Sequence, residues 1–416
     1  MSKAAAAMWQ KEAEERDASD PLKEFRADFY LPNTGIYLDG NSLGLISRRA
    51  EKSLSDAVDA WRRLAVQGWE EGEPSWFYLA ETLGEMLTAL VGGNPGDLVV
   101  AGSTTVNLHQ LLATFYRPKG QRRLIVADPL NFPSDLYALK SQLALHGQDE
   151  SALRLVMPDE HGWIREEDVL KALGPEVALL LLPAVVFSSG QLLDMERITK
   201  SARSQGIAVG WDLSHSAGVV PHRLHEVDPD FAVFCTYKYL NGGPGAPAAL
   251  YLSPRHRDRL PALWGWFGGD KERQFEMSPA FRPARGAGAF QIGSPHILSM
   301  APLKGSLALL AEAGIDRVRA KSLALTGFVM ALTDALLADQ GVLVLTPREP
   351  KRRGGHVALR HPRAAELVPL LRRAGVVGDF RPPDIIRLCP SPLSTRFSDV
   401  LDAVLQLRAA LTASSS

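Results

Sequence analysis

Two apolar runs near the middle of the chain constrain its fold most, because each ends abruptly in residues that carry chemistry. The run 207–210 ends in Trp211 and Asp212, and a second run, 231–235, leads into Lys238. A short apolar run bounded by turn signals is typical of a buried strand in a parallel sheet, which presents functional side chains at its carboxyl end. The sequence therefore predicts an acid and a lysine close together at one edge of a parallel sheet.

From residue 98 onward, strand-like and helix-like segments alternate, which predicts an α/β fold with a mainly parallel seven-stranded sheet between helices. The predicted strands are 98–101, 124–127, 152–156, 177–182, 207–211, 231–235 and 248–252. A small α+β unit follows, with predicted strands at 342–345, 355–360, 376–380 and 385–389 and helices at 364–374 and 398–411.

A chain of 416 residues is long for one ordinary core and short for three, so we expect a large domain and a smaller one. The predicted large domain spans 46–310, and the small C-terminal domain spans 311–416. Residues 1–45 form an N-terminal segment that we assign to the small domain. Within it we predict a frayed tail, then a helix that begins near Pro21.

The composition limits the compartment and the partners. A net charge of -1 gives no general attraction to nucleic acid or to anionic membranes. No run approaches the roughly 18 apolar residues of a membrane helix, and the apolar stretch 4–8 is too short for a signal sequence. Cys235 and Cys389 lie far apart in apolar runs, which favours reduced, buried side chains and a cytoplasmic protein.

The acid and the lysine match the requirements of an aldehyde cofactor of the pyridoxal phosphate (PLP) type. A lysine forms a Schiff base with the aldehyde, and a carboxylate pairs with the pyridine nitrogen so that the ring can accept electrons. Lys238 and Asp212 take these roles, and Tyr237 is close enough in sequence to bind the phosphate. Thr104 and Thr105 begin a helix, whose N-terminus is a ready anion site, although N-capping explains these hydroxyls equally well.

Other chemistry has weaker support in the sequence. Five potential metal ligands are close in sequence, but no second cluster with metal-ligand spacing accompanies them, so we predict no metal site: Asp212, His215, His222, His225 and Asp228. The glycines at 242, 243 and 245 lack the lysine and hydroxyl of a phosphate-binding P-loop. Asp212 and Lys238 also allow a plain interpretation as a strand-terminal acid and an exposed base.

Three further motifs narrow the interpretation, namely the loop 38–45, the stretch 132–135 and the stretch 236–241. Together with Asp212 and His215, they make the sequence resemble the kynureninase family, which belongs to the aspartate aminotransferase fold type (fold type I) of PLP enzymes. The resemblance covers residues 30–410, nearly the whole chain.

The resemblance implies a role for each matching position. Lys238 would be the cofactor lysine and would act in catalysis together with Tyr237 and Asp212. The other cofactor contacts implied within the same subunit are Thr104, Thr105, Phe132, Pro133, Ser134, Asp135 and His215. Trp266 and Ser294 would come from the neighbouring subunit of a homodimer with its active sites at the interface. Ser294 replaces the threonine or asparagine that is common in the family.

The implied reaction is hydrolysis of L-kynurenine, or its 3-hydroxy form, to anthranilate or 3-hydroxyanthranilate and L-alanine in tryptophan catabolism. Arg387 would hold the substrate carboxylate, since a planar guanidinium bonds both carboxylate oxygens. Trp76, Asn41 and Ser42 would line the substrate, and a tryptophan at position 76 resembles bacterial members.

Two alternatives stay open. A cysteine desulfurase-like or other β-eliminating PLP lyase shares the fold type, but a desulfurase needs a nucleophilic cysteine on a flexible loop, and both cysteines here lie in apolar strands. A catalytically silent PLP-binding protein is the non-enzyme alternative. It is disfavoured because Asp212, Tyr237, Lys238 and Arg387 are all present.

Overall fold

The computed structural model describes residues 3–33 and 35–413. The strands in chain order are β1 (Ile36–Tyr37), β2 (Leu98–Ala101), β3 (Leu124–Ala127), β4 (Leu153–Leu155), β5 (Val177–Pro183), β6 (Ala208–Asp212), β7 (Phe231–Phe234), β8 (Ala248–Leu252), β9 (Leu343–Val344), β10 (Val357–Arg360), β11 (Val376–Val377), β12 (Asp379–Arg381) and β13 (Ile385–Leu388). The helices are α1 (Lys3–Ala18), α2 (Arg48–Leu64), α3 (Gly68–Glu71), α4 (Leu79–Val91), α5 (Thr104–Phe115), α6 (Pro133–Leu145), α7 (Glu166–Ala172), α8 (Met195–Ser204), α9 (Leu224–Val227), α10 (Ile297–Ala313), α11 (Ile315–Leu337), α12 (Ala364–Arg373) and α13 (Phe397–Ala413).

The predicted seven-stranded sheet is confirmed, with strand order β2-β8-β7-β6-β5-β3-β4. Pairing is parallel from β7 to β4, whereas β8 is antiparallel to both β2 and β7. Strand β2 therefore runs in the same direction as the parallel strands, and six carboxyl ends meet at one edge. Asp212 is in register with Pro183 of β5 and Val233 of β7, so the three strands end together.

The composition of the central strands explains why they form a sheet covered on both faces. All seven residues of β5 are buried, and so are all four of β7. Near-continuous apolar runs of this kind are typical of parallel strands, whose two faces both pack against other elements. Polar residues are thereby left to the strand ends, where the candidate site lies.

A second, antiparallel sheet has the order β12-β13-β10-β9. Its hydrophobic core includes Leu359 of β10, Leu367 of α12 and Leu407 of α13. The N-terminal segment contributes to both cores, since Leu38 packs in this smaller core and Leu22 in the larger one. Strand β1 also pairs in parallel with β11. The division into domains at residues 45 and 310 stays a prediction.

The N-terminal expectations are wrong in two respects. Residues 3–18 form α1 rather than a frayed tail, and the segment after Pro21 forms a short 3-10 helix, Lys23–Asp28, rather than an α-helix. Helix α1 is held by long-range contacts, because the carboxylate of Asp17 accepts the backbone N–H groups of Phe397 at 2.6 Å and Ser398 at 3.1 Å. These two donors open α13, so Asp17 caps that helix from a distant part of the chain.

Helix α11, continued to Gln340, is long and apolar enough to cross a membrane by length and composition alone, with a mean hydropathy of 1.4. In the structure, 56% of its most apolar window is buried. Leu325, Val329 and Leu332 are fully buried in the smaller core. This burial is the pattern of a core helix.

Candidate active site

The carboxyl edge of the large sheet brings His215 and Lys238 into contact. Asp212 ends β6, and its Oδ1 accepts a hydrogen bond from the backbone N–H of Ser214 at 2.8 Å. His215 lies in the same turn, and its Nε2 is 3.2 Å from Nζ of Lys238, which follows β7. The register between β6 and β7 is what places these two strand ends side by side.

His215 is held in its neutral form. Burial lowers the pKa of His215 well below its ordinary value, and the positive charges of Lys238 and Arg387 lower it further. The buried Nδ1 has no hydrogen-bond partner among the described residues. A neutral imidazole can therefore share one hydrogen bond with Lys238 without competing for its proton.

Asp135 and Asp212 form a buried pair of carboxyl groups. Asp135 lies in the first turn of α6 and is 1% exposed. Burial raises the pKa of Asp135 well above its ordinary value, and the neighbouring Asp212 raises the pKa further. Asp135 therefore keeps its proton beside Asp212, because ionising both buried carboxyl groups would cost electrostatic energy. Oδ2 of Asp135 has no partner within the described part of the chain.

Three aromatic rings surround this cluster. Nζ of Lys238 lies 5.8 Å from the ring centroid of Phe132 and 5.8 Å from that of Tyr237. Phe187 packs edge-to-face against Phe132, with ring centroids 5.6 Å apart. Burial raises the pKa of Tyr237, with smaller contributions from Cys235 and Asp212, so its hydroxyl keeps its proton.

The start of α5 lies at the same edge of the sheet, because β2 runs parallel to β7. The hydroxyl of Ser103 caps the helix by accepting the backbone N–H of Val106 at 3.3 Å. Thr104 and Thr105 are the first two helical residues and are half-buried. Their hydroxyls and the free N–H groups of the first turn can bind an anion.

The loop after β1 lies against the lysine turn and reaches Arg387. The backbone N–H of Gly44 donates to the carbonyl of Tyr237 at 2.7 Å. The hydroxyl of Ser42 lies 3.4 Å from Nη2 of Arg387. Asn41 is 1% exposed, and neither polar atom of its amide has a hydrogen-bond partner among the described residues. Buried amides are rarely unpaired, so Asn41 has the capacity to bind a ligand.

Three predicted site residues lie apart from this cluster. Trp76 is buried and packs edge-to-face on Trp69, with ring centroids 6.0 Å apart. Trp266 is 46% exposed on the long loop that follows β8. Ser294 is exposed and borders a cleft of about 460 Å³ that Ser103 also lines. Within the described part of one chain, no hydrogen bond or ring contact joins any of the three to Lys238.

Four residues around the cluster were absent from the sequence prediction: Phe187, His356, Asp379 and Arg381. The carbonyl of Phe187 accepts hydrogen bonds from Nη1 of Arg387 at 3.0 Å and from Nε2 of His356 at 3.1 Å. Phe187 follows β5, so the expectation that functional residues lie at the carboxyl ends of parallel strands, which located Asp212, could also have located Phe187. Asp379 faces Arg387 directly across β12 and β13, a cross-strand pair that only the strand register reveals.

The weaker metal interpretation has no geometric basis. Nε2 of His222 lies 2.8 Å from the hydroxyl of Ser216, and Asp228 accepts a hydrogen bond from Nε of Arg255 at 2.8 Å. Among residues 3–33 and 35–413, no three His, Cys, Asp or Glu side chains are placed to hold a metal ion.

The residues present fit pyridoxal phosphate. Asp135 keeps its proton because its pKa is raised, which leaves the carboxylate of Asp212 to pair with a protonated pyridine nitrogen. Phe132 offers a partly exposed ring face near Lys238, and the start of α5 offers donors for a phosphate. The fold and site therefore define a PLP enzyme of fold type I.

Comparison with known proteins narrows this class. Residues 318–407 match the family described as the kynureninase C-terminal domain. The chain is 49% identical to kynureninase from Shouchella clausii over 95% of this chain and 93% of that protein. It is 48% identical to kynureninase from Geobacillus thermodenitrificans over 94% of this chain and 92% of that protein. The chain belongs to the kynureninase family, and the predicted family and cofactor are confirmed.

Solved structures share the fold at low sequence identity. A cysteine desulfurase from Thermococcus onnurineus superposes with a TM-score of 0.80 at 17% identity, covering 94% of this chain and 98% of that one. A C-DES mutant with glycine covalently linked to its PLP cofactor gives a TM-score of 0.79, also at 17% identity, covering 90% of this chain and 97% of that one. These likenesses establish the fold and leave the reaction to the family and the site.

Proposed function

We propose that this chain hydrolyses the side chain of L-kynurenine to anthranilate and L-alanine, with 3-hydroxykynurenine as a second substrate, in tryptophan catabolism. The observation that carries the proposal is the contact between Lys238 and neutral His215 beside the Asp135–Asp212 pair, in a chain of the kynureninase family. When bound, the cofactor supplies an electron sink for the bonds that break in the substrate.

The cofactor would be held from several sides. Lys238 would bond its aldehyde carbon, and Asp212 with Asp135 would pair with the ring nitrogen. Phe132, with Pro133 and Ser134 in the same loop, would pack against the ring, since it lies near Lys238, and His215 lies beside Lys238. Tyr237 and the start of α5 would bind the phosphate, and Thr104 and Thr105 would add hydroxyl donors there.

Lys238 and Tyr237 move the protons. Once the substrate amine has replaced Lys238 on the aldehyde carbon, Nζ of Lys238 is a free amine that can remove the proton from the substrate α-carbon, and its contact with His215 keeps it oriented. Tyr237 retains its hydroxyl proton, because burial raises its pKa, and is therefore a donor toward the substrate carbons. A water molecule attacks the γ-carbonyl of the substrate, and the bond between the β- and γ-carbons then breaks.

The substrate is held by its two ends. Arg387 binds the α-carboxylate, with Ser42 beside it. The unpaired amide of Asn41 would face the polar groups of the substrate. Trp76 would line the aromatic side, a role that rests on the family resemblance alone.

The cysteines disfavour the desulfurase alternative. Cys235 and Cys389 are buried and free. Burial raises the pKa of both thiols, to about 12 for Cys389, so neither is a ready nucleophile. Buried, reduced cysteines also support our inference of a cytoplasmic location.

We also infer a homodimer in which Trp266 and Ser294 complete the active site of the partner. The loop that carries Trp266 exposes large apolar side chains, with Phe275 72% and Met277 70% exposed. A contiguous apolar surface of this kind is typical of a protein interface. Phe275→Asp should reduce the solution mass from twice the 45.3 kDa of the chain toward a monomer. Tyr137→Asp is the matched control, since Tyr137 is 70% exposed on α6.

The function is tested by adding L-kynurenine to the purified protein and following anthranilate fluorescence and the cofactor absorbance band. Lys238→Ala should lose the lysine-dependent band and reduce turnover by about 10³-fold, whereas the exposed Lys200→Ala should change neither. Cofactor binding without anthranilate release from the native protein would contradict the proposed reaction and support the silent-protein alternative.

A further inference from the structure

Arg387 is already engaged by a carboxylate of its own chain. Its side chain is fully buried, Nε donates to Oδ1 of Asp379 at 2.7 Å, and Nη2 donates to Oδ2 of the same residue. Nη1 donates to the carbonyl of Phe187 at 3.0 Å. Asp379 therefore fixes the orientation of the guanidinium that the proposed function assigns to the substrate carboxylate.

Part of the guanidinium stays available. Of the five N–H groups of an arginine, two are bonded to Asp379 and one to Phe187. One more, on Nη2, makes only a long contact of 3.4 Å to Ser42, and the second N–H of Nη1 has no acceptor among the described residues. These two N–H groups, one on Nη1 and one on Nη2, are therefore the ones left for an incoming carboxylate.

The net charge around Arg387 decides whether this residue can attract a substrate carboxylate. Arg387 and Asp379 together are neutral, so by themselves they offer a substrate anion no net attraction. Nη2 of Arg381 lies 2.7 Å from Oδ2 of Asp379. Burial alone would raise the pKa of Asp379, but Arg387 and Arg381 outweigh burial and lower it, so Asp379 is ionised. The three residues together carry a net charge of one positive unit.

The position of Arg381 connects this charge to the rest of the site. The guanidinium carbons of Arg381 and Arg387 each lie 5.9 Å from the ring centroid of Phe187, whose ring also contacts Phe132. The side chain of Arg381 is one-third exposed, on a cleft of about 670 Å³ that Ser42 and Asp379 also border. Arg381 therefore lies between solvent and the carboxylate anchor.

We propose that Arg381 is a specificity-determining residue for α-carboxylates, which acts by neutralising Asp379 so that Arg387 presents a net positive charge to the substrate. The inference rests on the proposed function. Arg381 is a positioning and charge-setting residue, since the contact with the substrate belongs to Arg387. The ligand class that depends on it is amino acids with a free carboxylate.

The test compares two ligands on the PLP-loaded enzyme: L-kynurenine and its decarboxylated amine as a competitive inhibitor. Arg381→Gln should raise KM for L-kynurenine about tenfold, as expected for loss of one charge at this range, with kcat changed less than about twofold. The inhibition constant of the amine, which has no carboxylate, should stay within about twofold. Arg372→Gln, on the same cleft without a contact to Asp379, is the matched control.

A second variant separates charge from structure. Arg381→Lys keeps a positive charge beside Asp379 and leaves the contact between Asp379 and Arg387 intact, so KM should stay within about threefold of the native value. A merely structural role for the Arg381 guanidinium predicts instead that the lysine variant weakens L-kynurenine as much as the glutamine variant does. Equal weakening of both ligands, or an unchanged KM in Arg381→Gln, would overturn the proposal. Absence of anthranilate release from the native enzyme would instead refute the proposed function, and binding of L-kynurenine measured by the cofactor spectrum would still distinguish the variants, with the amine as the ligand that should not change.

Discussion

Nε2 of His215 lies 3.2 Å from Nζ of Lys238, and the histidine is held neutral by burial and by the charges around it. The lysine therefore has a hydrogen-bonding partner that stays neutral at and below the ordinary pKa of histidine. This arrangement orients the amine without adding a second ionisable group to the catalytic cycle.

His215→Gln should keep the hydrogen bond and retain kcat within about fivefold, whereas His215→Leu should reduce kcat about 10²-fold, because the amine loses its orientation. The acid limb of the pH–rate profile should be the same in the native enzyme and in the glutamine variant. A profile whose acid limb moves in His215→Gln would show that the imidazole titrates during turnover, against the neutral state argued above.

The two acids of the carboxyl pair should differ in their response to amide substitution. The raised pKa of Asp135 keeps this carboxyl group protonated, so Asp135→Asn mimics its protonated form and should change cofactor affinity less than about fivefold. Asp212→Asn removes the negative charge that faces the ring nitrogen and should weaken cofactor binding at least about 30-fold. Equilibrium dialysis of PLP measures both, and equal losses would contradict the assignment of the proton.

The same pair predicts a pH effect on stability in the absence of the cofactor. A carboxyl group whose pKa is raised by folding contributes stability that is fully present below its unfolded pKa of about 3.9 and is lost as the pH rises through the folded value. Asp135→Asn should therefore raise the free energy of unfolding of the cofactor-free protein at pH 7 relative to the native chain. Urea denaturation measures the difference. A lower stability of Asp135→Asn at pH 7 would exclude a cost of protonating this carboxyl group on folding.

His356 predicts the opposite pH dependence. Burial is the main cause that lowers its pKa to about 3, and Arg387 adds to the effect. The stability contributed by the neutral imidazole is present above the unfolded pKa of about 6.5 and is lost as the pH falls from there toward 3. As the pH falls from 7.5 to 5, the free energy of unfolding should decrease less in His356→Gln than in the native protein. His161 is exposed, so the decrease in His161→Gln should equal that of the native protein. Parallel curves for native and His356→Gln would refute this assignment.

The sequence predicted the fold and the centre of the site because both depend on local patterns. The apolar runs ending at Asp212 and near Lys238 became β6 and β7, each within two residues of the predicted limits. In contrast, the contact between Asp379 and Arg387 depends on the strand register, which the sequence does not show. Phe187 contributes its backbone carbonyl, and a backbone contact cannot be predicted from the residue type. Helix α1 was missed because a contact with Phe397, 380 residues away in sequence, holds its end.

The loop after β1 provides a last prediction, because it approaches the lysine turn more closely than a side chain permits. A Cβ at Gly44 would lie 2.3 Å from the carbonyl oxygen of Lys238 and 2.1 Å from Oδ1 of Asn241. Gly44→Ala should therefore displace the loop, together with Ser42 and Asn41, and raise KM for L-kynurenine about tenfold or more through loss of a positioned contact. Gly40→Ala is the control in the same loop, since its Cβ would meet only ordinary contacts at 3.7 Å and beyond. Steady-state kinetics and thermal unfolding of both variants separate a local displacement from a loss of folding. KM should rise in Gly44→Ala alone. An equal rise in both variants would show that KM responds to any change in the loop rather than to the close approach at Gly44.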